Sequence, residues 1–282
     1  MAKRIDEGIA WDLVRRLRPA ALSGGEACRV HHEAFPDIRL HVDPSGSWNV
    51  VGTLTKAASG VLALFVPLQL SRRLAVGQIG QSLDGRIATT SGDSHYVTGP
   101  EDIRRLHRLR ALVDAVLVGA GTVASDDPQL TVRRVPGENP VRVVLDPRGR
   151  LDPGRKVFTD GAARTIRIRA LHRGSGPEEG AGDAELFLPA SGEGRIDPSL
   201  ILARLSDLGL GRVLVEGGGK TVSGFIAAGA LDRLHLTVAP VLIGSGLPSV
   251  ELPPIDRLSD ALKPAARSFR LGSDILFDLD LR

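Results

Sequence analysis

Three short, strongly apolar runs constrain the fold of this chain more than any other feature of its sequence. They are AVLVG at 115–119, VRVVLD at 141–146 and RVLVE at 212–216. Strands that are apolar on both faces are typical of a parallel sheet covered by helices. Helix signals separate the runs: Pro100 opens one helical pattern, and Asp197 can cap another that starts at Pro198. This alternation predicts an α/β fold with a mixed, mostly parallel central sheet flanked by helices.

Further strands and a helix extend the pattern toward the C-terminus. AVGQIGQS at 75–82 predicts a strand, and a helix is expected from about Gly218 to Ala228. LHLTVAPVLIG at 234–244 and DILFDLDL at 274–281 predict two long strands that pair antiparallel as a C-terminal addition to the sheet. The helix that begins at Pro100 is expected to turn an apolar face to the core, composed of Ile103, Leu106, Leu109 and Val113.

The first 73 residues follow a different pattern. A helix is expected at 9–17, and strand-like pieces follow at 38–42, 48–54 and 61–68, separated by turn residues. We therefore divide the chain into residues 1–73, a small α+β module or extension of unknown role, and residues 74–282, the main domain. Residues 173–183 are expected to form a flexible loop because they are rich in glycine and charge.

Composition excludes several classes of function. The 36 Lys and Arg residues exceed the 33 Asp and Glu residues by three, which is too small a surplus to indicate nucleic-acid binding. Cys28 is the sole cysteine, so a disulfide within the chain and a cysteine-based zinc site are both excluded. The most apolar run, at 60–68, is about half the length of a membrane span. We expect a cytoplasmic protein without a metal, a membrane anchor or a nucleic-acid partner.

The stretch VEGGGKT at 215–221 looks like the end of an ATP-binding loop, but its spacing is wrong. That loop requires a glycine five residues before Gly219, where this chain has Leu214. A buried strand that ends at Glu216, a glycine run and a following helix still suit a pyrophosphate, because the amides at a helix N-terminus bind anions. The alternative is a plain strand-to-helix turn.

A second glycine motif, VGAGTVA at 118–124, is half of a dinucleotide-binding fingerprint. Asp126, Asp127 and Pro128 follow so closely that the helix after it is limited to one or two turns. Two glycine-bearing strand ends of this kind indicate a nucleotide-binding fold other than the Rossmann fold.

Three segments in order carry a family resemblance. They are QSLDGRIATTSGDSHYVT at 81–98, VLVGAGTVASDDPQLTVR at 116–133 and the stretch from VLVEGGGKT to VLIGSG at 213–246. Together they resemble the reductase domain of the bifunctional riboflavin-biosynthesis deaminase/reductase, over about residues 74–282. His31, His32 and Glu33 do not supply the deaminase half, since zinc deaminases also need a P-C-x-x-C motif. A stand-alone reductase is therefore expected.

The resemblance implies a dihydrofolate-reductase-like fold and a defined reaction. The family reduces the ribosylamino sugar of a phosphorylated pyrimidine, of the 5-amino-6-(5-phosphoribosylamino)uracil type, to a ribityl chain with NADPH. The cofactor supplies the hydride, and the protein orients the reactants and balances charge. The family is commonly dimeric, so a homodimer is expected as well.

The resemblance also implies roles for individual residues. Glu216 and Asp126 are expected to serve catalysis. Substrate binding is expected at Ser94, Arg110, Leu130, Arg133 and Glu216. Cofactor binding is expected at Gly80, Tyr96, Thr122, Asp126, Gly218, Gly219, Lys220, Thr221 and Gly224. From the residues alone, Arg110 would be assigned to a solvated helix face, because Arg104, Arg105 and Arg108 lie beside it.

Three positions depart from the family pattern. Gln78 replaces a lysine, Tyr96 replaces a tryptophan, and Pro147 replaces a serine close to a cofactor 2′-phosphate; Arg148 or Arg150 could take over that last role. These departures leave two alternatives open. One is a reductase of a different heterocycle, such as a dihydropteridine, and the other is a family member without catalytic activity.

Overall fold

The computed structural model describes residues 3–17, 27–43, 45–94, 97–171, 185–192 and 194–282. The predicted loop at 173–183 lies outside the described residues. The chain divides into two compact units, Met1–Leu74 and Ala75–Arg282.

In its described residues, the first unit contains two helices and two small sheets. Its helices are α1 (Glu7–Arg16) and α2 (Lys56–Phe65), and a 3₁₀ turn follows at Pro67–Leu70. Its strands are β1 (Arg4–Ile5), β2 (Cys28–His31), β3 (Arg39–Val42), β4 (Trp48–Val50) and β5 (Thr53–Leu54). β2, β3 and β4 form an antiparallel sheet, and β1 pairs with β5 in parallel. The rings of Trp11 and Phe65 meet edge to face, 5.6 Å apart, and join the two helices.

Helix α2 corrects the predicted strand at 61–68. Thr55 is the N-cap of this helix, and its side-chain oxygen accepts the Ala58 backbone N–H at 3.2 Å. Its buried residues include Ala58, Val61 and Leu62, at the one- and three-residue spacings of a helix face. The prediction was wrong because a helix that is apolar almost all round has no alternation to distinguish it from a buried strand.

The second unit is built on a nine-stranded sheet. Its helices are α3 (Pro100–Arg110), α4 (Ala120–Asp126), α5 (Lys156–Thr159), α6 (Pro198–Asp207) and α7 (Gly219–Ala227), with a 3₁₀ turn at Leu258–Asp260. Its strands are β6 (Leu74–Ser82), β7 (Arg86–Thr89), β8 (Ala115–Gly119), β9 (Val141–Leu145), β10 (Thr165–Leu171), β11 (Glu185–Pro189), β12 (Arg212–Glu216), β13 (Arg233–Ala239), β14 (Gly246–Pro248), β15 (Ala265–Leu271) and β16 (Asp274–Asp280).

The strand order in the large sheet is β11-β10-β9-β8-β12-β6-β13-β16-β15. Pairing is parallel from β11 to β12 and again between β6 and β13, whereas β16 runs antiparallel to both β13 and β15. The predicted α/β architecture with an antiparallel C-terminal addition is therefore confirmed. β13 ends at Ala239 rather than at 244, because Pro240 has no N–H to continue the ladder.

The direction in which successive strands are added to the sheet reverses between β8 and β12. From β8 the chain continues outward through β9, β10 and β11, then returns to β12 and crosses to β13 on the other side of β6. Ligands in open α/β sheets bind outside the carboxyl ends of strands at such a reversal. The topology therefore marks the ends of β8 and β12 as the place for a site.

The two faces of this sheet differ in chemistry. One face packs an apolar core against α6 and α7, with Val213 and Val215 of β12 against Phe225 of α7. The opposite face receives α3, whose buried side is largely charged: Asp102, Arg105, His107, Arg108 and Arg110 are all buried. Of the apolar face predicted for this helix, Leu109 and Val113 are buried, whereas Ile103 and Leu106 are only partly buried. Polar side chains on neighbouring strands, and the carboxylate of Glu216, accept hydrogen bonds from this side of the helix or donate to it, and make its burial possible.

Among the described residues, none of the helices combines the length and the hydropathy that crossing a bilayer requires.

The helical assignment of α2 makes a prediction about Gly60. An added Cβ there meets no atom within 4 Å, and glycine weakens a helix interior. Gly60→Ala should therefore raise the free energy of unfolding by about 0.5–1 kcal/mol. Urea denaturation followed by far-UV circular dichroism measures the change.

Gly52→Ala is the matched control, because Gly52 has a φ of 136° and its Cβ would lie 2.7 Å from Ile5 Cδ1. This control should lose stability. A Gly60→Ala protein that is less stable than the wild type would contradict the helix.

Candidate active site

The candidate site lies where β8 and β12 end side by side. The two strands pair in parallel, with Glu216 opposite Val118. α4 begins immediately after β8, and α7 begins after two residues that follow β12. Two helix N-termini, each with unpaired backbone N–H groups and a partial positive charge, therefore meet at one edge of the sheet.

The turn after Glu216 requires glycine because neighbouring atoms leave no space for a side chain. Gly217 has a φ of 108°, and a Cβ there would lie 2.7 Å from Thr122 Oγ1. A Cβ on Gly219 would collide with backbone, lying 2.6 Å from Pro248 O and closer still to Ser249 O. Larger residues at these two positions would force the turn open.

Thr122 ties the two helix starts together. Its Oγ1 accepts the Gly218 backbone N–H at 2.8 Å. Gly119, the last residue of β8, lies against Thr221 of α7. A Cβ on Gly119 would collide with the Thr221 hydroxyl. α7 has no side-chain cap at its N-cap residue, Gly218. The first turn of α7 can therefore present backbone amides to an anion.

Glu216 is held in a buried ion pair. Both of its oxygens accept from Arg110 of α3: Oε1 from Nε and Oε2 from Nη2, each at 2.7 Å. Arg110 also donates through Nη1 to Thr131 O at 3.2 Å. Burial opposes the charge of Arg110, but Glu216 outweighs it and raises the pKa of Arg110. This bidentate geometry fixes both planar groups.

The loop from Asp126 to Arg133 is strained at two positions. Asp127 has a φ of 42° and Leu130 a φ of 55°, and non-glycine residues seldom occupy this region. The Asp127 carboxylate accepts the Lys156 backbone N–H at 2.9 Å, which compensates part of its strain. Leu130 is buried, and its conformation costs about 1–3 kcal/mol. Strain of this kind clusters at functional sites.

Beside the ion pair lies an arginine-rich cluster. Arg133 donates its backbone N–H to Nδ1 of the buried His107 at 3.0 Å, and its guanidinium donates to Thr131 Oγ1. Burial lowers the pKa of Arg133, and repulsion from Arg110 and Arg134 adds to the effect. Glu216 compensates Arg110, and Asp160 offsets part of the charge of Arg133. Arg133 and Arg134 still leave a positive potential that suits an anion.

A cavity of about 300 Å³ opens next to this cluster. It is lined by Thr98, Gly99, Pro100, Ile103 and Arg134. Thr98 also packs against β6, with its Cγ2 lying 2.7 Å from the position of a Cβ on Gly80. Gly80 thus leaves space for the wall of the cavity.

Gln78 lies in a buried polar network below the cavity. Its side-chain oxygen accepts from Arg105 Nη2, and Arg105 Nε donates to Asp102 at 2.7 Å. Arg105 also contacts Nδ1 of His235 at 3.2 Å, and Asp102 accepts from Thr237 at 2.8 Å. The network supplies the hydrogen-bond partners that allow α3 to bury its polar side.

The structure brings some of the predicted residues together and leaves others apart. Arg110, Leu130, Arg133 and Glu216 share one region, and Thr122, Gly218, Gly219 and Thr221 share the adjacent turn. Asp126 is exposed at the end of α4, and the carboxylate with a positioned contact is that of Asp127. Lys220 and Gly224 are exposed on α7, and Ser94 is half-buried in the turn after β7. Tyr96 lies outside the described residues.

Sequence reasoning missed His107, Thr131 and Arg134. Their neighbours Arg110 and Arg133 were identified by the resemblance, but His107 and Arg134 lie outside the three quoted segments, and Thr131, within the second segment, was given no role. The sequence signal that could have found them is the dense run of basic residues at 104–110 and 133–134. Its meaning depends on a fold that brings α3 beside the loop at 131–134.

Comparisons with known proteins agree with this geometry. A model of the RibD C-terminal domain family matches residues 76–277. The 2,5-diamino-6-ribosylamino-4(3H)-pyrimidinone 5′-phosphate reductase of Methanothermobacter thermautotrophicus is 36% identical over 211 residues, covering 71% of this chain and 94% of that protein. Riboflavin biosynthesis protein RibD of Aquifex aeolicus is 34% identical over 198 residues, covering 70% of this chain and 54% of that protein.

A solved structure is similar as well. The diaminohydroxyphosphoribosylaminopyrimidine deaminase/5-amino-6-(5-phosphoribosylamino)uracil reductase of Thermotoga maritima superimposes with a TM-score of 0.62 at 28% identity. The match covers 81% of this chain and 64% of that one. The chain therefore spans only part of the Aquifex and Thermotoga proteins but nearly all of the archaeal reductase.

The Arg110–Glu216 pair yields a prediction about stability. Arg110→Met should lower the free energy of unfolding by about 3–5 kcal/mol, because it leaves the Glu216 carboxylate buried and unpaired. The double variant Arg110→Met/Glu216→Leu should lose less than the sum of Arg110→Met and Glu216→Leu, since no uncompensated charge remains. Urea denaturation of the four proteins measures the coupling.

Arg204→Met is the control, because Arg204 pairs with Asp207 at an exposed surface. It should change stability by less than about 1 kcal/mol. Additive losses for Arg110 and Glu216 would contradict the proposed coupling.

Proposed function

The chain belongs to the RibD C-terminal domain family, as its three sequence segments predicted, and we propose that it is a pyrimidine reductase of riboflavin biosynthesis. The proposed substrate is 2,5-diamino-6-ribosylamino-4(3H)-pyrimidinone 5′-phosphate, the compound in the name of the archaeal relative. One observation carries the proposal. Arg133 and Arg134 lie beside the Arg110–Glu216 ion pair, and the glycine-rich, uncapped N-terminus of α7 follows Glu216, so this edge of the sheet offers separate places for two phosphorylated ligands.

The turn at 217–219 fits the pyrophosphate of a nicotinamide dinucleotide. Gly217 and Gly219 keep the turn tight, and the amides at the start of α7 face the space beyond it. Thr122 would brace the turn through its bond to Gly218 N. A bound nicotinamide cofactor supplies the hydride, and the residues around it hold and orient it.

NADPH is the proposed form of the cofactor. Asp146, at the end of β9, is buried and accepts from Arg167 Nε at 3.0 Å and from the Leu151 amide at 3.1 Å. A carboxylate engaged in this way is not available to a ribose 2′-hydroxyl, the contact by which many NAD-dependent enzymes select their cofactor. The exposed Arg148 and Arg150 that follow suit a 2′-phosphate instead.

The phosphate of the substrate is assigned to Arg133 and Arg134. Arg110 is less suited to that role than the resemblance implied, because Glu216 and Thr131 O already occupy its donors. We assign Arg110 to holding Glu216, whose carboxylate would face the sugar of the substrate. Glu216 would then orient the first carbon of the opened sugar, where the hydride is accepted.

The proposed enzyme is a homodimer of the full chain. β15 is the edge strand of the large sheet, and all of its residues are exposed or only partly buried. The segment before it also exposes large apolar side chains: Val241, Leu242, Leu247, Leu252, Ile255, Leu258 and Leu262. Unpaired edges and apolar patches of this kind are normally covered, and a second copy can cover both symmetrically. The cytoplasmic location stays a prediction from the sequence.

Sedimentation velocity tests the dimer. The wild-type chain should sediment as a dimer at micromolar concentration, and Leu242→Asp/Leu258→Asp should shift it toward the monomer because two charges would be buried in the interface. Leu208→Asp is the control, because Leu208 is an exposed leucine at the end of α6, outside that segment. A wild-type protein that sediments as a monomer would contradict the proposal.

Steady-state kinetics test the reaction. The protein should oxidise NADPH in the presence of the pyrimidinone phosphate, and NADH should support a much lower rate. Arg133→Ala should lower kcat/KM about ten- to hundredfold, because it removes charge-assisted hydrogen bonds to the phosphate.

Arg204→Ala, on the exposed face of α6, is the matched arginine control and should behave as the wild type. The corresponding uracil compound and a dihydropteridine serve as alternative substrates. Faster turnover of the dihydropteridine, or no oxidation of either nicotinamide with any pyrimidine, would contradict the proposed function.

A further inference from the structure

We propose that His107 is a positioning residue, which holds Arg133 for anion binding without neutralising it. This inference rests on the proposed function, because it concerns the phosphate of the proposed substrate. Neither the sequence motifs nor the family comparison singles out His107.

The geometry defines what His107 does. It lies in the last turn of α3, only 3% exposed, and its Nδ1 is 3.0 Å from the backbone N of Arg133. A backbone N–H can only donate, so Nδ1 must carry a lone pair and the ring proton must be on Nε2. The imidazole therefore holds the backbone at Arg133, the residue whose guanidinium donates to Thr131 in the arginine-rich cluster.

The surroundings keep this imidazole neutral. Burial lowers the pKa of His107 to about 4, and the positive charges of Arg110, Arg133 and Arg134 act in the same direction. Above about pH 5, His107 is therefore an uncharged acceptor among three cations.

Neutrality matters for the ligand. A carboxylate at this position could accept the same N–H, but it would also attract Arg133 and Arg134 and cancel part of their potential. A cationic side chain would offer no lone pair and would add repulsion. A neutral acceptor fixes the loop and leaves the charge of both arginines to the phosphate.

Asn and Asp provide an isosteric test of this role. Each places a side-chain oxygen close to the position of Nδ1, but only Asp brings a charge. His107→Asn should keep the KM for the pyrimidinone phosphate within about threefold of the wild type. His107→Ala should raise that KM about tenfold, the upper range for one lost hydrogen bond. His107→Asp should raise it at least as far as Ala, with a smaller change in kcat.

Binding of inorganic phosphate and of NADPH, measured by isothermal titration calorimetry at pH 7.5, supplies readouts that a purely structural role would not change. His107→Asn should bind phosphate more tightly than His107→Asp, while the affinity for NADPH should be the same in all variants. Thermal melting confirms that each variant is folded.

Two outcomes would overturn the inference. If His107→Asn had a KM as high as that of His107→Ala, the hydrogen-bond acceptor at this position would be irrelevant. If His107→Asp had the same KM and phosphate affinity as His107→Asn, the neutrality of the side chain would be irrelevant. If Ala fails to fold, the comparison of Asn with Asp still decides the second point. Failure of the proposed function is distinguishable, because the wild-type protein itself would then not turn over the pyrimidinone phosphate.

Discussion

The ion pair between Arg110 and Glu216 is the interaction on which the rest of the candidate site depends. It joins the last residue of α3 to the last residue of β12, two elements separated by more than 100 residues of sequence. Because both groups are buried, removing either partner would strongly destabilise the folded protein. The pair therefore fixes the end of α3 against the sheet, and Arg110 in turn holds the carbonyl of Thr131 in the strained loop. The same ion pair therefore holds the loop segment that leads to Arg133.

The turn that follows β12 is held together by backbone groups and one side-chain hydroxyl. Glycines at 217 and 219, together with the Thr122 hydroxyl, bring backbone within contact distance at the start of α7. One strand end thus separates two chemically different half-sites. In the proposed enzyme, backbone amides and a helix dipole would serve a dinucleotide on one side, and fixed side-chain charges would serve a sugar phosphate on the other. Such a division would let two anionic ligands lie close together, and hydride transfer requires that proximity.

Sequence reasoning recovered the features that depend on local pattern. The strands at 115–119 and 212–216 are recognisable from their own residues, and Leu214 alone was enough to exclude an ATP loop. Features that depend on distant partners were missed. The buried charged face of α3 reads as a solvated surface until Gln78, Glu216 and Thr237 are brought against it. The positive φ of Leu130 has no sequence signal at all, because leucine is a poor choice for that conformation.

The central claim is that this chain transfers a hydride from a nicotinamide cofactor to the sugar of a phosphorylated pyrimidine. Isotope transfer tests it most directly. The protein is incubated with the pyrimidinone phosphate and NADPH carrying deuterium on either face of the nicotinamide C4, and the product is analysed by mass spectrometry. We expect deuterium from one of the two labelled cofactors in the first carbon of the ribityl chain. A reduced product without deuterium from either cofactor, or no reduced product, would contradict the claim.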